Sequence, residues 1–144
     1  MKYIEEKNHL FNYEGKAWLA HCISADFGMG KGIVTQFNER YNLKQYMIKN
    51  FMRNNWVGNG YCLAVKEFKV FNLVTKEKTS KKPTYKTVRQ ALIGMKNYAT
   101  AHGIHTIAMP TIAAGLDSLA WPKIKEEIFT VFKDTDIKII VCKL

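Results

Sequence analysis

The sequence predicts an α/β domain with a largely parallel sheet, and three observations carry that prediction. Short apolar runs typical of strands alternate along the chain with segments whose apolar residues recur at helical spacing. Two strands run directly into loops of small residues that then open a helix. The chain has 144 residues, of which 47% are hydrophobic, so it can bury one core. We therefore expect a single domain over residues 1–144.

The beginning of the chain predicts two strands and a glycine-rich loop. Lys2–Glu6 alternates in polarity and predicts a short edge strand. The continuous apolar run Ala17–Ile23, which contains His21, predicts a strand that is buried on both faces. The loop Ser24–Gly32 follows it and leads into a helix, because apolar residues recur there at helical spacing. Those apolar positions are Ile33, Val34, Phe37 and Tyr41.

The middle of the chain predicts a short helix and a hairpin. Leu43–Met52 has a helical pattern, and the polar stretch Asn54–Gly60 predicts a loop. Two β-rich runs, Tyr61–Val65 and Val70–Val74, are separated by a short polar segment, which predicts a hairpin. The polar, basic segment Thr75–Lys82 then predicts another loop.

The remainder of the chain predicts two helices and two strands. The longest helix begins at Pro83-Thr84 and ends at Gly103, and the last helix begins at Trp121. Thr106–Met109 and Ile137–Cys142 predict strands. The core positions of the long helix are Val88, Ala91, Leu92, Met95, Ala99 and His102, and those of the last helix are Ile124, Ile128, Val131 and Phe132.

Charge and cysteine content narrow the class of protein. Lys and Arg number 22 and Asp and Glu number 12, a net charge of +10. This charge favours an anionic partner such as a nucleotide, a nucleic acid or a modified protein, although solubility alone also explains it. The cysteines Cys22, Cys62 and Cys142 lie in apolar runs and match neither a disulfide framework nor a zinc pattern. No apolar run has the length of a membrane span and no signal-peptide pattern is present, so we expect a cytoplasmic protein without a membrane partner.

Three loops follow strands and form the candidate ligand site. They are Ser24–Gly32, Thr75–Lys82 and Pro110–Asp117. If their strands are parallel, all three loops lie at one edge of the sheet, where ligands of such folds bind. Small residues in the first and third loops allow backbone N–H groups to approach a ligand closely, which suits a phosphate.

Each of three ionisable residues in these loops has more than one interpretation. Lys76 ends a strand and is either a nucleophile or a point charge for a phosphate, whereas the lysines after it favour a solvated loop. Asp117 is a general base, an acid that holds the lysine in position, or an acid that caps the following helix, and the residues alone favour capping. Asp26 is equally a turn residue or a ligand contact.

Several motifs in order along the chain resemble those of the macrodomain family. They are His21-Cys22-Ile23-Ser24, Met29-Gly30-Lys31-Gly32-Ile33, Leu73-Val74-Thr75-Lys76, Ser80-Lys81-Lys82-Pro83-Thr84-Tyr85, and Met109-Pro110 through Asp117 with Trp121. The chain is most similar to the terminal ADP-ribose protein glycohydrolase branch, and the similarity extends over nearly its whole length. The resemblance implies a three-layer α/β/α fold around a mixed, largely parallel sheet, with a cleft for ADP-ribose.

The resemblance also implies a mechanism. A lysine at the place of Lys76 attacks the anomeric carbon of the distal ribose, and an aspartate at the place of Asp117 resolves the resulting lysyl adduct. The implied substrates are ADP-ribosylated acidic side chains of proteins, with thymidine-linked ADP-ribose in DNA and O-acetyl-ADP-ribose as further candidates. Related antitoxin macrodomains that act on ADP-ribosylated DNA commonly lack the aspartate, so Asp117 favours the protein branch. The resemblance implies neither a cofactor nor a metal.

The predicted ADP-ribose site follows from the same resemblance. The chain departs from the usual macrodomain pattern at three places. His9 stands where macrodomains usually carry the acid that binds adenine, and the other two departures are at Lys31 and at Ala113-Ala114. The predicted ligand-binding residues are His9, Leu10, Ile23, Ser24, Met29, Gly30, Gly32, Ile33, Thr75, Pro110, Thr111, Ile112, Ala113, Ala114, Gly115 and Leu116.

Two other functions compete with the hydrolase. A macrodomain can bind ADP-ribose without turnover, but such a reader needs neither Lys76 nor Asp117. A nucleic-acid-binding protein would use the positive charge, but the aromatic residues do not alternate with the basic runs as a stacking surface requires. We expect ADP-ribose and an ADP-ribosylated protein or DNA as partners, and a monomer.

Overall fold

The protein forms a mixed six-stranded sheet that is covered by helices, as seen in a computed structural model that describes residues 1–51 and 59–143. The strands are β1 (Lys2–Lys7), β2 (Trp18–Ser24), β3 (Tyr61–Val65), β4 (Val70–Lys76), β5 (Thr106–Met109) and β6 (Lys138–Lys143). The helices are α1 (Val34–Tyr41), α2 (Leu43–Asn50), α3 (Tyr85–Ala101) and α4 (Trp121–Phe132), with a short 3₁₀ helix over Leu10–Tyr13.

The order of the strands across the sheet is β1-β6-β5-β2-β4-β3. Every neighbouring pair is parallel except β3–β4, which is the antiparallel hairpin that the sequence predicts. β1 lies at one edge, as expected from its alternating polarity. The prediction of a mixed, largely parallel sheet is confirmed.

Two separate cores lie on the two faces of the sheet. On one face, α3 and α4 bury residues such as Leu92 and Ile128 against Phe71. On the other face, the 3₁₀ helix, α1 and α2 bury residues such as Phe37 and Met47. Helices thus cover both faces, and the predicted three-layer α/β/α architecture is confirmed.

The limits of α3 show where the helical pattern of the sequence holds and where it fails. Thr84 caps the helix in a reciprocal arrangement with Thr87, as its position after Pro83 suggests. The prediction that His102 belongs to the core face is wrong, because His102 follows the last helical residue and has non-helical dihedral angles. Its exposed ring instead stacks on Tyr98 at a centroid distance of 3.9 Å.

The sheet interior contains a buried polar pair. The Nε2 atom of His21 lies 2.6 Å from Oδ1 of Asn72, and the imidazole stacks on Phe37. Burial lowers the pKa of His21 to about 4, against a smaller opposing effect of the bond to Asn72. His21 is therefore neutral near pH 7 and belongs to the core, in agreement with its place in a buried strand.

Other predictions concern the cysteines, the loop before β3 and membrane-spanning segments. Cys22, Cys62 and Cys142 lie on strands and carry free thiols; Cys142 is buried and the other two are partly exposed. The predicted loop 54–60 falls largely outside the described residues. Within the described residues, every helix is too short or too polar to cross a bilayer.

Candidate active site

The carboxyl ends of β2, β4 and β5 lie together at one edge of the sheet, because these strands are parallel neighbours. Loop A (25–33) leads from β2 to α1, loop B (77–84) from β4 to α3, and loop C (110–120) from β5 to α4. The three loops surround a cavity of about 510 Å³. This volume lies within the range of small-molecule sites, and the cavity lies where the sequence predicts the ligand site.

Lys76 and Asp117 meet in this cavity. The Nζ atom of Lys76 lies 2.8 Å from Oδ1 of Asp117, and each side chain is 16% exposed. An ion pair of this kind is only partly screened by water, yet it remains open to a ligand. The two residues whose roles the sequence left ambiguous therefore form one contact pair at the centre of the site.

A bulge at the end of β4 determines where Lys76 lies. Ile23 pairs with Val74, but Ser24 pairs with Lys76, so Thr75 is an extra residue on β4. Such bulges change the direction of a side chain and are frequent beside active sites. Beyond the bulge, the carbonyl oxygen of Lys76 accepts a 2.9 Å hydrogen bond from the backbone of Ala25, which fixes the end of the strand.

Asp117 does not cap α4. The N-cap residue of α4 is Ala120, which makes no side-chain capping bond, and the first turn contains no acidic residue. The N–H of Ala120 donates instead to the hydroxyl oxygen of Tyr85 at 2.9 Å. The capping interpretation of Asp117 is therefore wrong, because the carboxylate turns away from the helix and towards Lys76.

Loop C lines the cavity and turns sharply. Ala113 and Ser118 have left-handed φ values of 60° and 63°, which turn the chain sharply between them. A 2.9 Å bond from the N–H of Leu119 to the carbonyl of Ala113 closes this turn. Among the backbone hydrogen bonds of the described residues, none uses the N–H of Gly115, Leu116 or Asp117 as donor. These groups are available to an anion.

Loop A has a second set of available N–H groups. Among the backbone hydrogen bonds within 1–51 and 59–143, none uses the N–H of Gly30 or Gly32 as donor. Gly32 has φ of 80°, a conformation that glycine adopts without strain. The N-terminus of α1 follows at Val34 and adds positive dipole in the same region. Loops A and C thus offer N–H groups around one cavity.

Asp26 fastens loop A to loop B. Its carboxylate accepts hydrogen bonds from Ser24 Oγ, from the N–H of Gly28, and from both the N–H and the hydroxyl of Thr79. Burial by itself would raise the pKa of Asp26, but the bonds from Ser24 and Thr79 outweigh it and hold the pKa far below its usual range. Asp26 is therefore ionised and holds the loops together. This favours the interpretation as a structural turn residue over that as a ligand contact.

The thiol of Cys22 lies in the wall of the cavity near the ion pair. Burial raises its pKa to about 12, and the negative charge of Asp117 adds to this effect. The thiol is therefore protonated at neutral pH and is a poor nucleophile. Lys76 and Asp117 therefore remain the candidate reactive groups of the cavity.

Most of the predicted site residues line the cavity, and five do not. Leu10, Met29 and Thr75 are buried, whereas His9 and Ala114 lie outside the cavity wall. The His9 ring accepts a 3.3 Å bond from the N–H of Phe11 and caps the 3₁₀ helix. The predicted residues that line the cavity are Ile23, Ser24, Gly30, Gly32, Ile33, Lys76, Pro110, Thr111, Ile112, Ala113, Gly115, Leu116 and Asp117.

The cavity also contains residues that the sequence prediction missed. Thr79 and Lys82 come from loop B, which the sequence places in the candidate ligand site, although it favours a solvated position for Lys82 itself. Lys82 is not simply solvated, because its Nζ atom donates a 2.7 Å bond to the carbonyl oxygen of Leu116. No pattern in the sequence indicates this contact between two loops. The other missed residues are Cys22, Gly28, Lys31 and Val34.

The described residues contain no group of three or more His, Cys, Asp or Glu side chains that could hold a metal ion. The chemistry available in this part of the chain is that of an amine, a carboxylate and backbone donors. Such a set can bind a diphosphate, can attack an electrophilic carbon, and can accept or donate a proton.

Comparison with solved structures defines the class of protein. The macrodomain of Mycobacterium tuberculosis DarG superposes with a TM-score of 0.86 at 20% identity, covering 97% of this chain and 96% of that one. Thermosipho africanus DarTG in complex with ADP-ribose superposes with a TM-score of 0.82 at 14% identity, covering 100% of this chain and 42% of that one. The fold, with a cavity at the carboxyl ends of the parallel strands, is that of a macrodomain.

Sequence comparison defines the branch. The chain is 35% identical over 138 residues to the human ADP-ribose glycohydrolase OARD1, covering 96% of this chain and 89% of the relative. No protein-family model matches it. The chain therefore belongs to the macrodomain family, in its terminal ADP-ribose glycohydrolase branch, as the sequence motifs predict.

Proposed function

We propose that this protein is an ADP-ribosyl hydrolase that releases ADP-ribose from modified acidic side chains of proteins through a lysine adduct. The main observation in support is the 2.8 Å contact between Lys76 and Asp117 inside a cavity that also has backbone N–H groups able to bind an anion. Its membership of the glycohydrolase branch supports the same activity. A module that only binds ADP-ribose has no need of this pair.

The cavity binds ADP-ribose through its backbone. The available N–H groups of Gly30 and Gly32 in loop A, and of Gly115 and Leu116 in loop C, bind the diphosphate from two sides. The distal ribose then lies beyond the diphosphate, beside Lys76. The positive charge of Lys31, which also lines the cavity, adds attraction for the anionic ligand.

The first step forms the adduct. Lys76 transfers a proton to Asp117 along their hydrogen bond, and the neutral amine attacks C1″ of the distal ribose. The nitrogen–C1″ bond forms while the bond from C1″ to the ester oxygen of the modified side chain breaks. The electron pair of that bond leaves with the oxygen, so the side chain departs as a carboxylate. Asp117 is protonated at this point, and it releases its proton to solvent once the side chain has left, so that it is ionised again beside the positively charged adduct.

The second step releases ADP-ribose. A water molecule gives a proton to Asp117 and its oxygen bonds to C1″, while the nitrogen–C1″ bond breaks. The electron pair of that bond leaves with the nitrogen of Lys76, which takes the proton from Asp117 and becomes an ammonium again. The product carries a hydroxyl group on C1″, and both residues return to their initial state.

The substrate class follows from the leaving group. A carboxylate is a good leaving group and needs no acid to protonate it. This suits a site in which Asp117, the one acidic residue that lines the cavity among residues 1–51 and 59–143, is paired with Lys76. Thymidine-linked ADP-ribose in DNA and O-acetyl-ADP-ribose present the same distal ribose and are the secondary substrates to test. The positive net charge of +10 is compatible with a DNA substrate.

A paired release assay tests the proposal. The protein and its Lys76→Ala variant are each given glutamate-linked ADP-ribosylated protein and thymidine-linked ADP-ribosylated DNA. We expect Lys76-dependent release, faster from the protein. Lys78→Ala is the matched control, because Lys78 is an exposed lysine of loop B that does not line the cavity. Release by Lys76→Ala at the wild-type rate would overturn the mechanism, and binding of ADP-ribose without any release would establish a reader.

A further inference from the structure

Lys82 connects the two loops that supply the reactive pair. Its Nζ atom donates a 2.7 Å hydrogen bond to the carbonyl oxygen of Leu116. Lys82 belongs to loop B, which follows Lys76 at the end of β4, and Leu116 directly precedes Asp117 in loop C. Both bonded residues line the cavity, and each lies in a segment adjacent to one member of the Lys76–Asp117 pair.

The bond restrains the peptide unit on which Asp117 is carried. The Leu116 carbonyl and the Asp117 nitrogen belong to one planar unit, so fixing the oxygen limits the directions that the Asp117 side chain can take. Within the described residues, the same oxygen otherwise accepts only a long 3.4 Å bond from Ser118 Oγ. The ammonium of Lys82 is thus the stronger of its two donors.

Burial does little to hold this part of loop C. The side chain of Leu116 is 63% exposed, the largest exposure among the large hydrophobic residues described. Its Cδ1 atom reaches towards loop A, where a Cβ atom added to Gly32 would lie 3.3 Å from it. Since little apolar area is removed from water, the hydrophobic contribution to the position of this segment is small. Polar contacts therefore carry most of the restraint.

We propose that Lys82 is a positioning residue that holds Asp117 in reach of Lys76. The inference rests on the proposed hydrolase function, because it gives Lys82 a role in that reaction. Without the Lys82 ammonium, the two N–H loops still bind ADP-ribose, but Asp117 loses its fixed position beside Lys76. A displacement of about 1 Å can cost about a hundredfold in rate, so a reduction of tenfold to about a hundredfold is expected.

The test replaces Lys82 with methionine, which keeps the length of the side chain and removes the donor. Lys81→Met is the matched control, because Lys81 is the neighbouring exposed lysine, carries the same charge and does not line the cavity. Lys82→Arg retains a cationic donor and serves as the conservative rescue. Release rate, ADP-ribose affinity, thermal midpoint and trapped adduct by mass are measured for each variant.

The expected result has three parts. Lys82→Met lowers kcat at least tenfold and accumulates adduct, with ADP-ribose affinity and thermal midpoint close to wild type. Lys82→Arg recovers most of the rate, and Lys81→Met behaves as wild type. Adding Lys82→Met to Asp117→Ala causes no further loss, because the residue acts through Asp117.

Other results would overturn the role. Weaker ADP-ribose affinity with kcat unchanged would make Lys82 a phosphate ligand, and an equal loss in the Asp117→Ala background would make it independent of Asp117. The carboxyl ¹³C signal of Asp117 in the ligand-free protein gives a readout apart from activity. We expect it to shift in Lys82→Met and not in Lys81→Met. An unshifted signal rejects the positioning role, whereas wild-type activity in Lys76→Ala rejects only the proposed function.

Discussion

Asp26 and Asp117 both lie in a loop that follows a parallel strand, yet the two carboxylates have different roles. Asp26 accepts bonds from Ser24, Gly28 and Thr79, so its oxygens are satisfied within the protein. Asp117 contacts the Nζ atom of Lys76 and faces the cavity. The first carboxylate joins two loops, and the second is available to a reaction.

The difference teaches how a structural acid is recognised beside a reactive one. A carboxylate that accepts several backbone and hydroxyl bonds has a strongly lowered pKa and cannot easily take a proton. A carboxylate whose partner is a single amine can exchange a proton with it. The two roles are distinguished by the number and type of hydrogen-bond donors around each carboxylate. They are not distinguished by the distance of each acid from its strand.

The largest effect is expected from removing the amine. Lys76→Ala should lower the release rate by about ten-thousandfold, because the proposed mechanism uses this lysine as the nucleophile. ADP-ribose binding should change little, since the N–H groups of loops A and C remain. Release kinetics together with calorimetric titration of ADP-ribose check both parts. A parallel loss of binding would mean that Lys76 mainly holds a phosphate.

Asp117→Ala should have the next largest effect. The release rate is expected to fall by about a hundredfold or more, and a covalent ADP-ribosyl adduct should become detectable by mass. Asp26→Ala, which removes the other carboxylate, should trap no adduct. If both variants trapped adduct equally, the contrast between the two acids would be lost.

Asp26→Asn should affect stability more than chemistry. Replacing the carboxylate weakens its bonds to Ser24 and Thr79, so the free energy of unfolding is expected to fall by about 1–2 kcal/mol. Chemical denaturation measures this loss, with Asp134→Asn, an exposed acid after α4, as the control. A variant as stable as wild type would show that the loops are joined by other contacts.

The stability gap between wild type and Asp26→Asn should also depend on pH. This is the smallest of the expected effects, and its sign is definite. The native pKa of Asp26 is lowered, so its contribution is fully present above the unfolded pKa of about 4 and is lost as the pH falls through the native value. The stability gap between wild type and Asp26→Asn should be constant from pH 7 to about pH 5 and then narrow. Denaturation at several pH values checks it. A gap that widened in acid would contradict the lowered pKa.

The resemblance of the motifs carried much of the site prediction. The residues alone left Lys76 between two roles and favoured helix capping for Asp117. The resemblance paired the two residues, and the structure places them in contact at 2.8 Å. It also assigned His9 to the ligand site, whereas the structure uses the His9 ring to cap a 3₁₀ helix, so that ligand role stays a prediction.

The sequence by itself determined the fold class, the succession of strands and helices, and the three loops at one sheet edge. These features depend on local periodicity and on apolar runs, which can be identified directly in the sequence. Only the tertiary structure decided the bulge at Thr75, the partners of Asp26 and the bond from Lys82 to Leu116. The physical reason is that these contacts join segments far apart in the chain. Their geometry depends on strand register and loop closure, which no local pattern encodes.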